Sequence, residues 1–310
     1  MTWIDCIKLN DKKANDLNLV KLGIRSTLSQ LLETGILHAD THGGNLLKEL
    51  DTNKLVYLDF GLVAKVPKSV RESLICSILY FIERDIDSLC AQFDGLMLLP
   101  KENLSLEMEE SFKASLKDIV DKIFKDIDDA KVNTSNIIKT TTILPRIRFD
   151  QLIFSLLSVA TKYKFTVPPY FLNNARALAS LEGMALTADP NFNLLGELYP
   201  YVLKRIILCQ EESLKIRKAF RELVLKSHKG YLLLNLTRIK RLHDDILSLG
   251  LNRYQLYYEF LITMFTNKEG LRFVQEIIQN YIKFTITTIK YRINNFFNKF
   301  IKINITRFTI

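Results

Sequence analysis

Two short motifs decide the fold of this chain, and they read His38-Ala39-Asp40-Thr41-His42-Gly43-Gly44-Asn45 and Asp59-Phe60-Gly61. The residues between them form two apolar runs, 46–47 and 55–58, on either side of a polar Asp51-Thr52-Asn53 segment. Apolar runs separated by turn residues predict a β-hairpin. Because the two strands of a hairpin run in opposite directions, we expect Asp59 to return to a position beside Asn45.

The spacing of the polar residues is typical of phosphoryl-transfer sites. Asp40 precedes Asn45 by five residues, and Asp59 follows Asn45 by fourteen. A kinase site uses this order for a carboxylate that orients the phosphoryl acceptor, followed by two oxygen ligands of Mg²⁺. Asp40 is therefore the candidate catalytic carboxylate, and Asn45 and Asp59 are the candidate metal ligands. We expect His38 to brace the loop and Gly61 to bend the backbone sharply after Asp59.

Two histidines leave a zinc site open as an alternative. His38 and His42 stand four residues apart, the spacing of two zinc ligands on a helix. The glutamate of an H-E-x-x-H motif is absent, and Gly43-Gly44 end any helix there. The neighbouring aspartates suit Mg²⁺ better than zinc. A hydrolase built on His38, Asp40, His42 and Asp59 is the less favoured interpretation, and it predicts tightly bound zinc.

The first motif, HADTHGGN, resembles the HADPHPGN catalytic loop of the UbiB/ADCK (aarF-domain-containing) atypical kinases. Residues 3–9 are similar to the segment that joins the two kinase lobes in that family, and residues 58–63 to its metal loop. Four further segments are similar to its helical C-terminal part, most closely to cyanobacterial and plastid members: 165–171, 181–183, 189–192 and 199–201. The resemblance covers about residues 1–208, although both loop prolines are replaced, by Thr41 and Gly43.

The resemblance implies a fold that is mainly α with a small β-hairpin. Residues 1–208 would form a protein-kinase-like C-terminal lobe with family-specific helices, and residues 209–310 a helical extension. Asp40, Asn45 and Asp59 would bind ATP with Mg²⁺ for ATP hydrolysis or phosphoryl transfer. The activity would support isoprenoid-quinone metabolism at a membrane. A plastid is the expected location, with the mitochondrion as the alternative.

The resemblance also bears on the beginning of the chain. Met1 would lie at the junction of the two lobes, with the N-terminal lobe and its phosphate-gripping lysine outside this sequence. The alternative function is therefore a catalytically incomplete pseudokinase or scaffold that binds a partner protein or lipid without turnover. Whether the chain is an enzyme is left open by the sequence.

Composition and periodicity agree with a helical body. The 310 residues are 48% hydrophobic and include 11 Gly and 7 Pro, which favours a large core built mostly from helices. Apolar residues at helical spacing predict seven helices, over residues 17–33, 69–81, 86–97, 106–127, 150–163, 170–187 and 194–208. The polar residues 128–142 are expected to form a loop. Charged residues interrupt every apolar run before eighteen residues, so no transmembrane helix is predicted.

Two charged residues on the helix predicted at residues 170–187 resemble a functional pair. Arg176 and Glu182 are six positions apart, and residues at that spacing lie on different faces of a helix. We therefore expect each of them to line the core or cap a helix, and we assign neither to catalysis.

The last part of the chain is strongly basic. Residues 271–310 contain seven Lys or Arg and one acid, which gives +6 of the net charge of +9, with Phe and Ile interleaved. Such a segment suits the surface of an anionic membrane. Nucleic acid is the less favoured partner for it. A helix that packs on the protein and exposes a solvated basic face is the simplest alternative.

Overall fold

The computed structural model describes residues 5–9, 11, 16–99, 105–133, 144–145, 148–163, 165–208, 213–228, 230–248 and 252–308. Over these residues the protein is mainly helical with small antiparallel sheets, which confirms the predicted fold class. The chain divides into two units, Met1–Ile216 and Arg217–Ile310. The sequence-based division after residue 208 stays a prediction.

Five short strands of the first unit surround the two motifs: β1 (Cys6–Lys8), β2 (Ile36–His38), β3 (Leu46–Glu49), β4 (Leu55–Tyr57) and β5 (Val63–Lys65). Strands β3 and β4 form the predicted hairpin, with Leu46 opposite Tyr57, and β1 pairs with the other edge of β3. Strands β2 and β5 form a separate two-stranded sheet in which His38 lies opposite Val63. Each strand of this second sheet has three residues, too few to show a periodic pattern.

The first unit contains seven described helices: α1 (Leu17–Ser29), α2 (Lys68–Glu83), α3 (Ile86–Gly95), α4 (Leu106–Asn133), α5 (Phe149–Tyr163), α6 (Pro169–Ala188) and α7 (Leu194–Leu208). They confirm the seven predicted helices. The loop predicted from residue 128 is wrong as far as residue 133, because α4 continues to Asn133. Extending an existing helix costs little, since each added residue gains a hydrogen bond. Residues 134–142 of that prediction lie outside the described residues.

Helix α1 carries the chain into the first motif. Asp16 caps its beginning and accepts hydrogen bonds from the N–H groups of Asn18, at 3.0 Å, and Leu19, at 3.4 Å. The helix ends in a π-helical turn, Gln30–Thr34, which Gly35 closes by donating its N–H to the carbonyl of Gln30 at 2.8 Å. Gly35 has a φ of +71°, a left-handed conformation that glycine accepts readily. Strand β2 therefore starts directly after the helix.

The first motif rests on an apolar core. Helix α1 contacts both α6 and α7, and Leu28, Leu181 and Leu203, one from each of these helices, are fully buried. Leu37 of β2 and Leu46 of β3 are also fully buried. The strands on both sides of the loop are thus held by the same apolar packing that joins the helices.

The second unit contains most of α8 (Leu214–Val224), a hairpin, and three further helices: β6 (Leu225–His228), β7 (Tyr231–Leu234), α9 (Leu236–Ser248), α10 (Arg253–Thr266) and α11 (Lys268–Phe308). Helix α11 packs against β7. Phe284 makes edge-on ring contacts with His228 and Tyr231 of the hairpin. Among the described residues, none of the helices combines the length and apolar character that a membrane span requires.

Candidate active site

Backbone hydrogen bonds bring the two motifs together. The N–H of Leu58 donates to the carbonyl of Asn45 at 2.9 Å, directly beyond the β3–β4 pairing. The N–H of Ala39 donates to the carbonyl of Leu62 at 3.0 Å, directly beyond the β2–β5 pairing. The loop that contains Asp59 is thus tied on one side to Asn45 and on the other to the residue before Asp40.

His38 joins the two motifs through its side chain. It is 4% exposed, and its Nε2 lies 3.0 Å from the carbonyl oxygen of Leu58. The N–H of Asp40 donates to Nδ1 of the same ring at 3.3 Å. These contacts assign the imidazole proton to Nε2, because a nitrogen that accepts from an N–H carries no proton. With both ring nitrogens engaged by backbone groups, His38 has no atom left for a zinc ion.

Asn45 is oriented by its side-chain nitrogen. Its Nδ2 donates to the backbone carbonyl of Asp40 at 3.1 Å, and its backbone N–H donates to the carbonyl of His42 at 2.9 Å. Within the described part of the chain, no hydrogen bond to the side-chain oxygen of Asn45 is observed. An amide held by its nitrogen keeps the oxygen, the atom that binds hard cations, available.

The backbone of the second motif turns sharply, with a left-handed residue at Asp59 and a turn over Phe60 and Gly61. Asp59 has a φ of +54°, a left-handed conformation that aspartate tolerates better than most residues. Its Oδ1 accepts the N–H of Gly61 at 3.1 Å, and its side chain is exposed. A Cβ at Gly61 would lie 3.0 Å from that oxygen. The glycine therefore permits a close approach to the carboxylate, and the bend expected directly after Asp59 is observed.

An arginine and a histidine face the carboxylate of Asp40. Nη2 of Arg176 lies 3.7 Å from Oδ1, and Nε2 of His42 lies 3.7 Å from Oδ2. Arg176 belongs to α6, 136 residues further along the chain, and its side chain is 70% exposed. The expectation that Arg176 lines the core or caps a helix is therefore wrong. No local sequence signal pointed to this contact, because it depends on how α6 packs beside the loop.

Glu182, the other member of that pair, does cap a helix. It is 4% exposed, and its Oε2 accepts the N–H of Phe149, the first residue of α5, at 2.6 Å. A carboxylate at a helix N-terminus satisfies a free N–H group and opposes the positive end of the helix dipole. The capping role predicted for Glu182 is confirmed.

The loop holds its turn without the two prolines of the related motif. The N–H of Gly44 donates to Nδ1 of His42 at 3.0 Å, and a Cβ at Gly44 would come within 2.8 Å of that ring. Thr41 is 1% exposed, and its hydroxyl has no hydrogen-bond partner among the described residues. The bond between Gly44 and His42 thus holds the turn beside residue 43, where the related motif has a proline. At residue 41, the other proline position, the buried hydroxyl has no partner among the described residues.

The donor set suits Mg²⁺. Asn45 and Asp59 offer an amide oxygen and a carboxylate, the hard ligands that Mg²⁺ takes together with waters and phosphate oxygens. Over the described ranges, no three His, Cys, Asp or Glu side chains converge as a metal cage. A site with one or two protein ligands is typical of Mg²⁺ bound with a nucleotide, whereas structural zinc sites use four.

Comparison with known proteins identifies two family domains. Residues 1–93 match the ABC1 atypical kinase-like domain, and residues 141–193 match the UbiB helical domain. The first match contains both motifs, and the second contains Arg176. The site described above thus combines residues from both domains.

Curated relatives agree with these matches. The chain is 33% identical over 235 residues to Protein ACTIVITY OF BC1 COMPLEX KINASE 3, chloroplastic, of Arabidopsis thaliana, covering 74% of this chain and 30% of that protein. It is 33% identical over 215 residues to an uncharacterized aarF domain-containing protein kinase, chloroplastic, of the same plant, covering 69% and 28%. An uncharacterized Synechocystis protein is 32% identical over 235 residues, covering 73% and 31%.

The chain spans less than a third of the length of each of these relatives. The two domain matches follow the order of the motifs along the chain, and the relatives are chloroplastic and cyanobacterial. The resemblance inferred from the HADTHGGN loop is confirmed. The chain belongs to the ABC1/UbiB family of atypical kinase-like proteins, close to its plastid and cyanobacterial members.

Proposed function

We propose that this chain contributes the metal-binding and catalytic half of a site for Mg²⁺ and ATP. The observation that supports this most directly is the orientation of Asn45, whose amide nitrogen is held by the carbonyl of Asp40 at 3.1 Å. The same hairpin returns Asp59 beside Asn45. The Asp40 carboxylate has no hydrogen-bond donor within 3.5 Å among the described contacts, which supports a role for it in orienting an incoming acceptor.

Each residue then has a separate role in phosphoryl transfer. Asn45 and Asp59 would hold Mg²⁺, which neutralises phosphate charge when it is bound. Asp40 would orient the attacking hydroxyl or water and accept its proton. His38 would keep Asp40 and the Asp59 loop in register through its two backbone contacts. The reaction is ATP hydrolysis or phosphoryl transfer, and we propose that it supports isoprenoid-quinone metabolism.

Binding measurements on the 310-residue chain test the metal assignment. Mn²⁺ in place of Mg²⁺ gives an electron paramagnetic signal that reports formation of the ternary complex with ATP. Asp59→Asn should weaken this complex at least about tenfold, because it removes the charged ligand. Asp40→Asn should leave it intact and abolish turnover. Asp51→Asn, in the exposed turn of the same hairpin, is the control. Equal binding by Asp59→Asn and wild type would contradict the metal assignment.

The alternative is a pseudokinase or scaffold. It predicts that the chain does not bind Mn²⁺ with ATP, while a partner protein or lipid is still bound. Absence of the ternary complex would favour this alternative over the enzyme.

We propose a plastid location, supported by relatives whose names carry the word chloroplastic. Fractionation of source cells with an antibody against residues 105–133 tests it. Recovery with plastid markers is the expected result, and recovery with mitochondrial markers would overturn it.

We also propose that residues 271–310 contact an anionic membrane surface. Five isoleucines of α11, each about half exposed, follow one another at intervals of three or four residues: Ile278, Ile282, Ile286, Ile289 and Ile293. This spacing places them in one stripe along the helix. Lys283 and Lys290 are exposed beside the stripe, where long cationic side chains can reach lipid headgroups while the isoleucines enter the acyl boundary.

A further inference from the structure

Arg176 lies beside Asp40 but does not form a hydrogen bond with its carboxylate. The 3.7 Å between Nη2 and Oδ1 exceeds the length of a charge-assisted hydrogen bond. Another arginine pair of the same unit is shorter, since Nη2 of the exposed Arg25 lies 3.0 Å from Oε2 of Glu197. Among the described residues, no hydrogen bond from the Arg176 guanidinium is observed, so its donors remain available beside Asp40.

The position of Arg176 is fixed even though its side chain is exposed. Ala175 and Ala177, its neighbours in α6, are buried, as is Leu178. A buried helix segment holds the Cα of Arg176 in place while the side chain, 70% exposed, extends toward Asp40. Among the described residues, the contact with Asp40 is the ion pair observed for this guanidinium. An exposed pair of this kind contributes little to stability, so stability alone does not account for the arrangement.

The chemistry of the guanidinium indicates what it binds. Its five N–H donors form a planar fork that matches two oxygens of a phosphate group. In phosphoryl transfer, negative charge is spread over the three equatorial oxygens of the transferred group. A guanidinium beside the carboxylate that orients the acceptor would lie close to the phosphoryl group as it moves from ADP to the acceptor.

We propose that Arg176 is a further catalytic residue of this site and binds the terminal phosphoryl group of the nucleotide; this inference rests on the proposed function. As the acceptor oxygen forms its bond to the γ-phosphorus, the bond to the oxygen that bridges to ADP breaks, and its electron pair leaves with ADP. The acceptor proton passes to Asp40. Arg176 gains and loses no atoms, and donates hydrogen bonds to the oxygens of the group in transit.

The test compares ATP with ADP, because only ATP carries the group that Arg176 contacts. Binding of Mn²⁺ with each nucleotide is measured for wild type, Arg176→Gln and Arg176→Lys. Arg176→Gln should lower the affinity for ATP about tenfold and leave the affinity for ADP unchanged, as expected for loss of charge-assisted hydrogen bonds. Arg176→Lys should restore part of the preference for ATP. Arg25→Gln, an equally exposed arginine of α1, is the matched control and should change neither affinity.

The outcomes separate this inference from the proposed function. If Asp59→Asn weakens binding of both nucleotides while Arg176→Gln keeps the wild-type preference for ATP, the inference on Arg176 fails and the metal site stands. An equal loss of ATP and ADP affinity in Arg176→Gln would also overturn it, since that result indicates a general effect of charge or structure. If wild type binds neither nucleotide, both proposals fail together.

Discussion

His38 and Leu58 are joined by a hydrogen bond of 3.0 Å between the imidazole Nε2 and the backbone carbonyl oxygen. They are 20 residues apart, one at the end of β2 and the other directly before Asp59. The same ring accepts the N–H of Asp40. One buried side chain therefore sets the position of the candidate catalytic loop relative to the candidate metal loop.

Replacing His38 should destabilise the first unit. His38→Phe keeps a ring of similar size but leaves the N–H of Asp40 and the carbonyl of Leu58 without their partner. Each lost partner of a buried polar group costs roughly 1–3 kcal/mol. The free energy of unfolding in urea, followed by circular dichroism, measures the effect. His42→Gln, at a side chain that is 52% exposed, should cost less than half as much; equal costs would contradict the bracing role of His38.

Removing the hydroxyl of Thr41 should stabilise the protein. This hydroxyl is buried without a hydrogen-bond partner among the described residues, and an unsatisfied buried polar group costs on the order of 1 kcal/mol or more. Thr41→Val keeps the shape of the side chain and removes that cost, so the melting temperature should rise. Thr187→Val is the control, because Oγ1 of Thr187 donates to the carbonyl of Gly183 on an exposed helix face. A lower melting temperature for Thr41→Val would show that the hydroxyl has a partner.

The stability of the second unit should depend on pH through Glu276. Arg221 binds both carboxylate oxygens of Glu276, at 2.8 and 2.6 Å, and this hydrogen bonding holds the pKa of Glu276 below its ordinary value of 4.5. A lowered pKa stabilises the fold above the ordinary carboxyl pKa, and the stabilisation is lost as the pH falls through the lowered value. Because Glu276 is 40% exposed, the pair is worth about 1 kcal/mol or less.

Hydrogen–deuterium exchange of peptides from α8 and α11 measures this dependence. In wild type, protection should fall more steeply than in Glu276→Gln as the pH drops below the ordinary carboxyl pKa of 4.5. Glu222→Gln is the control, since Glu222 and Lys218 form a looser, exposed pair at 3.7 Å. The same pH profile in wild type and Glu276→Gln would contradict a role of the pair in acid stability.

Flotation with liposomes tests the basic end of the chain. Binding should rise with the fraction of anionic lipid and fall with salt, because each Lys or Arg near such a surface is worth about 1 kcal/mol. The double change Ile282→Asn with Ile289→Asn should weaken binding even at low salt. Lys240→Gln, at an exposed cation of α9, should have little effect.

Two other results would contradict membrane contact by this segment. Equal flotation of the chain without residues 271–310 would place the membrane surface elsewhere. Preference for RNA over liposomes would make residues 271–310 a nucleic-acid-binding segment.

Local patterns in the sequence predicted the helices and the β3–β4 hairpin, because both depend on residues close together in the chain. Pairing of β2 with β5 joins residues 36–38 to residues 63–65, and no spacing rule predicts it. The turn at Gly61 was predicted, but the left-handed conformation of Asp59 was not, because glycine is the residue that usually adopts it. The approach of Arg176 to Asp40 depends on the packing of α6, which residue patterns do not encode.

The π-helical turn at Gln30–Thr34 makes the path of the chain after it depend on the number of residues that it contains. Such a turn is an α-helix that holds one surplus residue. Deleting one residue between 31 and 34 would give a regular α-helix and turn everything after the deletion by about 100° relative to Gln30. Oε1 of Gln30 accepts the N–H of His38 at 2.9 Å. The deletion would therefore break this hydrogen bond between the end of the helix and the strand that leads to the loop. In this turn, insertions and deletions are the damaging class of genetic change, because they alter the number of residues between Gln30 and His38.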